Sequence, residues 1–327
     1  KAKTLVSEFL EQKKGCYPQL SNDIITRLQA FATAGKGVRG GLVLAQHEFY
    51  EGTNTSEAEA AAIAVELFHS GILIIDDIID CDKLRRGQET MHYQLRHLDT
   101  NREESLKLGE SFAMCVGLIA TYMAQELLAE VKSAEAQKIM SQYYVSTGFA
   151  EMQELLNDTN PEVSREDIIK IYQEKTGLYT VAMPSLVGAY IAGAPEEELV
   201  HFEQVGRNLG VLFQLKDDLL ELEGTTEAIG KSVTSDIKMN NMTFPRLVLH
   251  ERVTAEERAK LDTIYGTEPD EEDIKFIKSL HQQYNTAIAI RDLEEEYEQK
   301  VKNTLATMKR ANTHLLFLIE YNKQRTK

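Results

Sequence analysis

Proline and cysteine are both scarce here. Six prolines and nineteen glycines in 327 residues leave few points at which a helix must stop. The three cysteines, Cys16, Cys81 and Cys115, show no metal-ligand spacing and no disulfide framework, so a reduced, cytoplasmic compartment is expected. Basic residues are in deficit: 36 Lys and Arg against 52 Asp and Glu, a net charge of −16. That balance argues against nucleic acid or an anionic membrane surface as a partner. No uninterrupted apolar run reaches the length of a membrane span. The longest candidate, Ala58 to Ile79, is cut by Glu59, Glu66, His69 and an Asp pair. It reads as a buried core helix, and no integral membrane segment is expected. No signal peptide is visible at the start, and the chain opens without Met, so a trimmed terminus is expected.

What is present is helix after helix. Apolar residues recur at 3.6-type spacing rather than in strict alternation. The pattern predicts helices over roughly 3–14, 19–33, 38–50, 56–81, 102–131, 134–157, 165–175, 177–191, 196–222, 242–251, 255–264, 270–282 and 284–321. No Gly/Ser-rich linker, low-complexity tract or fixed-period repeat interrupts them. Nothing marks a domain boundary, and one all-α domain over residues 1–327 is predicted.

Two acidic clusters of one shape stand out. Asp76-Asp77-Ile-Ile-Asp80 sits inside an apolar run, and Asp217-Asp218-Leu-Leu-Glu221 repeats the pattern in the second half. On a helix, positions i, i+1 and i+4 fall on one side within about a turn. Each cluster therefore aims three carboxylates at one spot, on a helix whose Ile, Leu and Phe neighbours favour burial. Crowded carboxylates repel one another, and desolvation raises that cost. A cation would relieve both. Oxygen ligands without Cys or His select a hard ion such as Mg²⁺, which completes its shell with water and substrate phosphate. Two clusters suggest a diphosphate held by several Mg²⁺ ions. The alternative is a pair of solvated acidic helix faces, which the apolar settings disfavour.

The few basic residues cluster. Gly35-Lys36-Gly37-Val38-Arg39-Gly40-Gly41 joins a flexible backbone and two cations to a helix start, where a phosphate can approach free N–H groups. Alone, it reads more readily as a basic turn. Arg85-Arg86-Gly87 follows the first acidic cluster, and its guanidinium groups suit forked phosphate contacts. A surface ion-pair patch is the alternative. Lys175-Thr176 closes a helix, where a Lys is favourable in any case. His69 lies on the helix of Asp76, where a lone His is usually a satisfied core residue. Gln214 is one turn before Asp217, an ordinary place for Gln unless a cation needs stabilising nearby.

In order along the chain, these residues resemble the trans-isoprenyl diphosphate synthases, which make geranyl, farnesyl, geranylgeranyl and longer diphosphates. The strongest stretches are Glu66-Leu-Phe-His69 through Asp80 to Arg85-Arg86-Gly87, Lys175-Thr176-Gly177, and Gly206-Arg-Asn-Leu-Gly210 through Phe213-Gln214 to Glu221. The segment from Gly230-Lys231 to Asp236 looks like the loop after the family's second motif. The resemblance implies an all-α bundle around a central cavity, in a homodimer. It implies that Asp76, Asp77, Asp80, Asp217, Asp218, Glu221 and Asp236 hold Mg²⁺, three ions in all, on an allylic diphosphate. Arg85 and Lys175 would add charge there, with Lys231 also near the substrate. Lys36, Arg39, His69 and Arg86 would bind isopentenyl diphosphate, and Thr176 and Gln214 would face the developing carbocation. Released diphosphate would take the final proton. No side-chain base would then be needed, which accounts for the absence of a Ser-His-Asp or Cys-His arrangement.

Several positions depart from the family's pattern. Gly40 replaces a usual Pro, Ile75 a frequent His, and Glu221 the last Asp of the second motif. Glu151 and Glu154 occupy the region of a Gln-x-x-Asp pair. Asn241 stands where a Lys usually contacts the allylic diphosphate, with Lys238 or Lys231 as candidate substitutes. Two other functions share some of these features: a class I terpene cyclase, and a weakly active or regulatory subunit of a heteromeric synthase. For chain length, Ile72, Gly71 and Phe68 lie four, five and eight residues before Asp76 on one helix face. In the resembling family, bulky aromatics at the first two positions stop growth at fifteen carbons. Gly71 is expected to leave a gap with Phe68 as the floor, which predicts a C20 product ahead of C15 and longer chains. The alternative is that Gly71 only permits close helix packing, with the tunnel blocked near Phe112.

Overall fold

The computed structural model describes residues 1–17, 20–98, 105–160, 162–223 and 235–325. The chain is helical almost throughout and forms two compact units. One holds Lys1–Ser141 and Pro184–Pro195; the other holds Gln142–Met183 and Glu196–Lys327.

In the first unit, α1 (Ala2–Lys13), α2 (Leu20–Ala34) and α3 (Val38–Phe49) pack around α4 (Thr55–Ile79). A two-stranded hairpin (β1 Leu84–Arg85, β2 Gln88–Glu89) and α5 (Met91–Leu95) follow. Then come α6 (Leu106–Leu128) and α7 (Ala134–Asn157), whose later residues belong to the second unit. α4 is the core helix that its composition predicts: Ala58, Ala61, Ala62, Ala64, Val65, Leu67 and Ile74 are fully buried. It lies close against α6. A Cβ built at Gly71 would meet Gly117 O at 2.9 Å and Thr121 Oγ1 at 3.0 Å. Gly71 therefore opens onto the backbone of α6, not onto a gap. Its missing side chain is what lets the two helices touch.

Among the described residues one helix, Leu106–Leu128, is long and apolar enough to cross a membrane, with 44% of that window buried. Its buried side is Ala113, Val116, Gly117, Ala120 and Ala124, small residues that fit against α4. Its other side exposes Met114, Leu118, Ile119 and Tyr122.

In the second unit, α8 (Arg165–Ile171) runs without a break through a π-helical segment, Tyr172–Ala182, to Met183, the first residue of α9 (Met183–Ala192), whose later residues belong to the first unit. The break predicted at Thr176, between helices 165–175 and 177–191, does not occur. Gly177 is there for contact with α10 (Glu196–Glu223): a Cβ on it would lie 2.6 Å from Gly206 O, and one on Gly210 would lie 2.2 Å from Gly177 Cα. The three glycines let two backbones meet where side chains cannot fit. The helix predicted over 284–321 is two helices, α15 (Thr286–Thr307) and α16 (Thr313–Gln324). Asn312 separates them, because its side chain accepts the Leu315 N–H and caps α16. The hairpin and α5 were not predicted, being two and five residues long and below the reach of periodicity.

The remaining helices, α11 (Ser235–Lys238), α12 (Phe244–Arg252), α13 (Ala255–Ile264) and α14 (Glu271–Gln283), surround a smaller core. Ile237, Leu249, Leu261, Ile264, Ile277 and Leu280 form it, with Tyr265 and Phe276 at its edge. His250 and His281 are buried beside it, and burial lowers both to about 4. Nδ1 of His281 lies 2.9 Å from Thr286 Oγ1. A histidine depressed in the folded state takes up protons on unfolding. Stability is then full above the ordinary value near 6.5 and is lost as pH falls toward 4. We predict that His281→Gln flattens the dependence of the thermal midpoint on pH across that window, by an amount on the order of 1–3 kcal/mol. An unchanged slope would remove His281 as the cause.

Candidate active site

The first acidic cluster ends α4. Asp77 is fully buried and Asp76 is partly exposed. Asp80 caps the helix, its N–H donating to Asp76 O at 2.8 Å. The hairpin brings back Arg85, which donates to Asp77 Oδ1 through Nε and to Asp76 Oδ2 through Nη2 at 3.0 Å. Asp82 Oδ2 lies 3.6 Å from the same Nη2. Burial raises the Asp77 carboxyl to about 6 against the pull of Arg85, with Asp76 and Asp82 adding repulsion. Burial alone would lower Arg85, but Asp77 and Asp76 outweigh it and hold its proton more tightly. Asp77 Oδ2 is buried with no hydrogen-bond partner. An orphaned carboxylate oxygen of this kind suits a hard cation.

Next to this acidic end is a basic one. Arg39 on α3 has Nη1 3.1 Å from Nε2 of His69 on α4. A guanidinium can only donate, so Nε2 accepts and the proton sits on Nδ1. Burial, then Arg39, Arg86 and Arg85, push His69 well below its ordinary value, so it is neutral. Arg86 is at a left-handed φ of 55°, and its guanidinium fills the space that a Gly35 side chain would take, 2.8 Å from the built Cβ. Burial, then Arg85 and Arg39, lower Arg86. Lys36 lies exposed in the loop before α3. The N–H of Gly40 donates to the buried Glu66 Oε1 at 2.7 Å. A proline at 40 could not make that bond, which gives the departure at this position a physical reason.

The second cluster is on α10. Asp218 is buried and accepts a 2.7 Å hydrogen bond from Tyr172 of the π-segment. The Tyr172 hydroxyl in turn accepts from Phe244 N at 3.1 Å. Burial raises Asp218 well above the usual carboxylate range; Tyr172 opposes this, and Asp236 and Asp217 reinforce it. Asp217 is paired with Arg325 from beyond the end of α16. Asp218, Glu221 and Asp236 line one cavity together with Arg246, Tyr265, Lys278 and His281. Thr176 Oγ1 donates to Gln214 Oε1 at 3.3 Å, so the structure brings this pair together. Lys175 is held by Glu151 at 2.7 Å and by Glu154. Lys238 pairs with Glu268 at 2.6 Å, and Asn241 donates to Asp236. Lys231 lies outside the described residues.

Among the described residues no three acidic or histidine side chains by themselves cage an ion. Open carboxylate sites are what Mg²⁺ uses when water and substrate oxygens complete its shell. Sequence reading missed Tyr172, Asp82 and Arg325. Tyr172 is 46 residues from its partner and Arg325 is 108 from its own, and no local spacing signals either. Asp82 is the exception: three residues before Arg85, its spacing could have marked it.

The polyprenyl synthetase family model matches residues 24–284. The chain belongs to that family. It is 31% identical to the farnesyl diphosphate synthase of Bacillus subtilis over 70% of this chain and 75% of that one. It is 26% identical to heptaprenyl diphosphate synthase component 2 of the same organism, over 97% and 86%. A solved polyprenyl synthase from Caulobacter crescentus, complexed with calcium and isoprenyl diphosphate, superposes with a TM-score of 0.85 at 26% identity, covering 100% of this chain and 94% of that one. The protein is thus a trans-prenyl diphosphate synthase, a prenyltransferase of isoprenoid biosynthesis with the all-α fold of that family.

Proposed function

We propose that this synthase is Mg²⁺-dependent and condenses isopentenyl diphosphate with an allylic diphosphate. The carrying observation is the pair of buried carboxylates, Asp77 and Asp218, each raised by burial on an apolar helix. Asp76, Asp77, Asp80, Asp217, Asp218, Glu221 and Asp236 are the oxygen donors for the ions. Held by these residues, Mg²⁺ would supply positive charge against that developing on the departing diphosphate. Arg85, already held by Asp76 and Asp77, adds a fixed cation to the same charge. Lys175 does likewise, with Glu151 and Glu154 setting its position. Lys36, Arg39, Arg86 and neutral His69 bind the diphosphate of isopentenyl diphosphate, His69 as a hydrogen-bonding group rather than a charge. Thr176 and Gln214 direct oxygens toward the allylic cation. The alkene of the second substrate attacks that cation, and the released diphosphate accepts the proton. The family match spans residues of both units, which supports one polyprenyl synthase domain over 1–327.

For product length we infer C20. Gly71 packs on Gly117, so a bulky residue at 71 would force α4 and α6 apart and would report packing rather than tunnel depth. Phe68 and Ile72, both partly buried, are left as the side chains that set the floor. We expect Phe68→Ala to move the product distribution beyond C20. An unchanged distribution would leave C20 without support.

A homodimer is supported by the apolar stripe on α6, Met114, Leu118 and Tyr122 at i, i+4 and i+8, and by Val145, Phe149, Met152 and Leu156 on α7. A second reading, a weakly active or regulatory subunit of a heteromeric synthase, draws on the match to a heptaprenyl synthase component over 97% of this chain. The deciding experiment incubates the purified chain with Mg²⁺, isopentenyl diphosphate and each allylic diphosphate, and sizes the products. Turnover by the chain alone favours the first reading; turnover only after a partner protein is added favours the second; cyclised products would replace both. In that assay Asp77→Ala and Asp218→Ala should each lower kcat by at least ~10²-fold, and EDTA should abolish turnover. Near-normal rates under any of these conditions would sink the metal reading.

A further inference from the structure

Position 241 belongs to a turn with unusually little freedom. α11 ends in a Schellman motif: Asn241 N donates to Asp236 O at 2.9 Å and Asn240 N to Ile237 O at 3.2 Å, with Asn240 in the left-handed region at φ 61°. Buried Arg246 holds the turn from one side. Its Nη1 donates to the carbonyls of Asn240 at 2.7 Å and Asn241 at 3.1 Å, and its Nη2 to Asn240 Oδ1 at 3.0 Å. Arg246 is itself seated 3.8 Å over the ring of Tyr265. Asp158 holds the other side, accepting from Met242 N at 2.6 Å and, through its carbonyl, from Asn240 Nδ2 at 2.9 Å. From this fixed backbone Asn241 Nδ2 donates to Asp236 Oδ1 at 2.9 Å.

We propose that Asn241 is a positioning residue for Asp236: it occupies one carboxylate oxygen, fixes the rotation of the group, and leaves the carboxylate charge intact for a divalent ion. The inference rests on the assignment of Asp236 as a metal ligand made above. Its physical basis is the difference between an amide and an ammonium. A neutral N–H₂ donor orients a carboxylate without cancelling its charge, as groups behind metal ligands commonly do. A lysine here would compete with the ion for Asp236 as a cation. The residue at 241 therefore acts on the ligand, whereas the lysine usual at this place acts on the substrate. Lys238, one of the candidate substitutes for that lysine, is engaged with Glu268.

The test reads metal binding directly. Mn²⁺ in place of Mg²⁺ is titrated into the full chain with inorganic diphosphate, and free Mn²⁺ is followed by electron paramagnetic resonance. Asn241→Leu and Asp236→Asn should each weaken Mn²⁺ binding by at least ~10-fold, and Asn241→Gln, which keeps the donor, should recover most of it. The double variant should bind no worse than Asp236→Asn alone. Should Asn241→Leu unfold the turn, Asn241→Ser, too short to reach Asp236, is expected to give the same loss. Normal Mn²⁺ affinity in the position-241 variants, with Asp236→Asn impaired, overturns the positioning role and leaves Asp236 as a ligand. Normal affinity in Asp236→Asn overturns the ligand assignment as well. Asn241→Lys with a tighter allylic KM and unchanged Mn²⁺ binding would also defeat the proposal, by showing that position 241 acts on substrate.

Discussion

The burial of carboxylates on apolar helices is the constraint around which the rest is arranged. Asp77 and Asp218 each sit among hydrophobic neighbours and beside other acids. Left alone, each would cost several kcal/mol or take up a proton. The protein offsets this in two ways. In the first unit it returns a cation, Arg85, on a short hairpin. In the second it supplies a neutral donor, Tyr172, from a π-helical segment. Neither answer is complete, since Asp77 keeps a buried oxygen without a partner and Asp218 stays raised. What remains of the penalty is what the proposed divalent ion would relieve.

Helix contact without side chains is the second theme. Gly71 against Gly117, and Gly177 against Gly206 and Gly210, bring backbones together where the acidic residues must be placed accurately. The π-segment belongs here too. It carries Tyr172, Lys175 and Thr176 on a widened helical segment of 11 residues beside α10, and π-helical geometry recurs at functional sites.

The sequence made the chemistry legible where it was local. DDIID and DDLLE show their geometry by spacing alone, and Arg85-Arg86 could be read because it lies within ten residues of its acids. The all-α class followed from periodicity, since few prolines intervene. What could not be read was tertiary. A glycine looks the same in sequence whether it borders a helix or lets one approach another, so a helix was taken to start afresh at Gly177, and Gly71 was taken for a gap. Tyr172 and Arg325 come from distant elements and carry no pattern. The helix break before Asn312 turned on one side-chain cap. Asn241 was visible as a departure, but its bond to Asp236 was not.

Arg86 shows how selection can act against backbone preference. It is a non-glycine residue at φ 55° in a two-residue turn whose partner, Gly87, is also left-handed. Asparagine or glycine would be easier there, by roughly 1–2 kcal/mol for the residue that tolerates the conformation least. Substitution to glycine or asparagine at this codon would therefore be rewarded in stability even as it discarded the guanidinium. A lineage that keeps arginine at 86 is reporting that the charge matters more than the turn, and one that has drifted to asparagine would be expected to have lost its need for it.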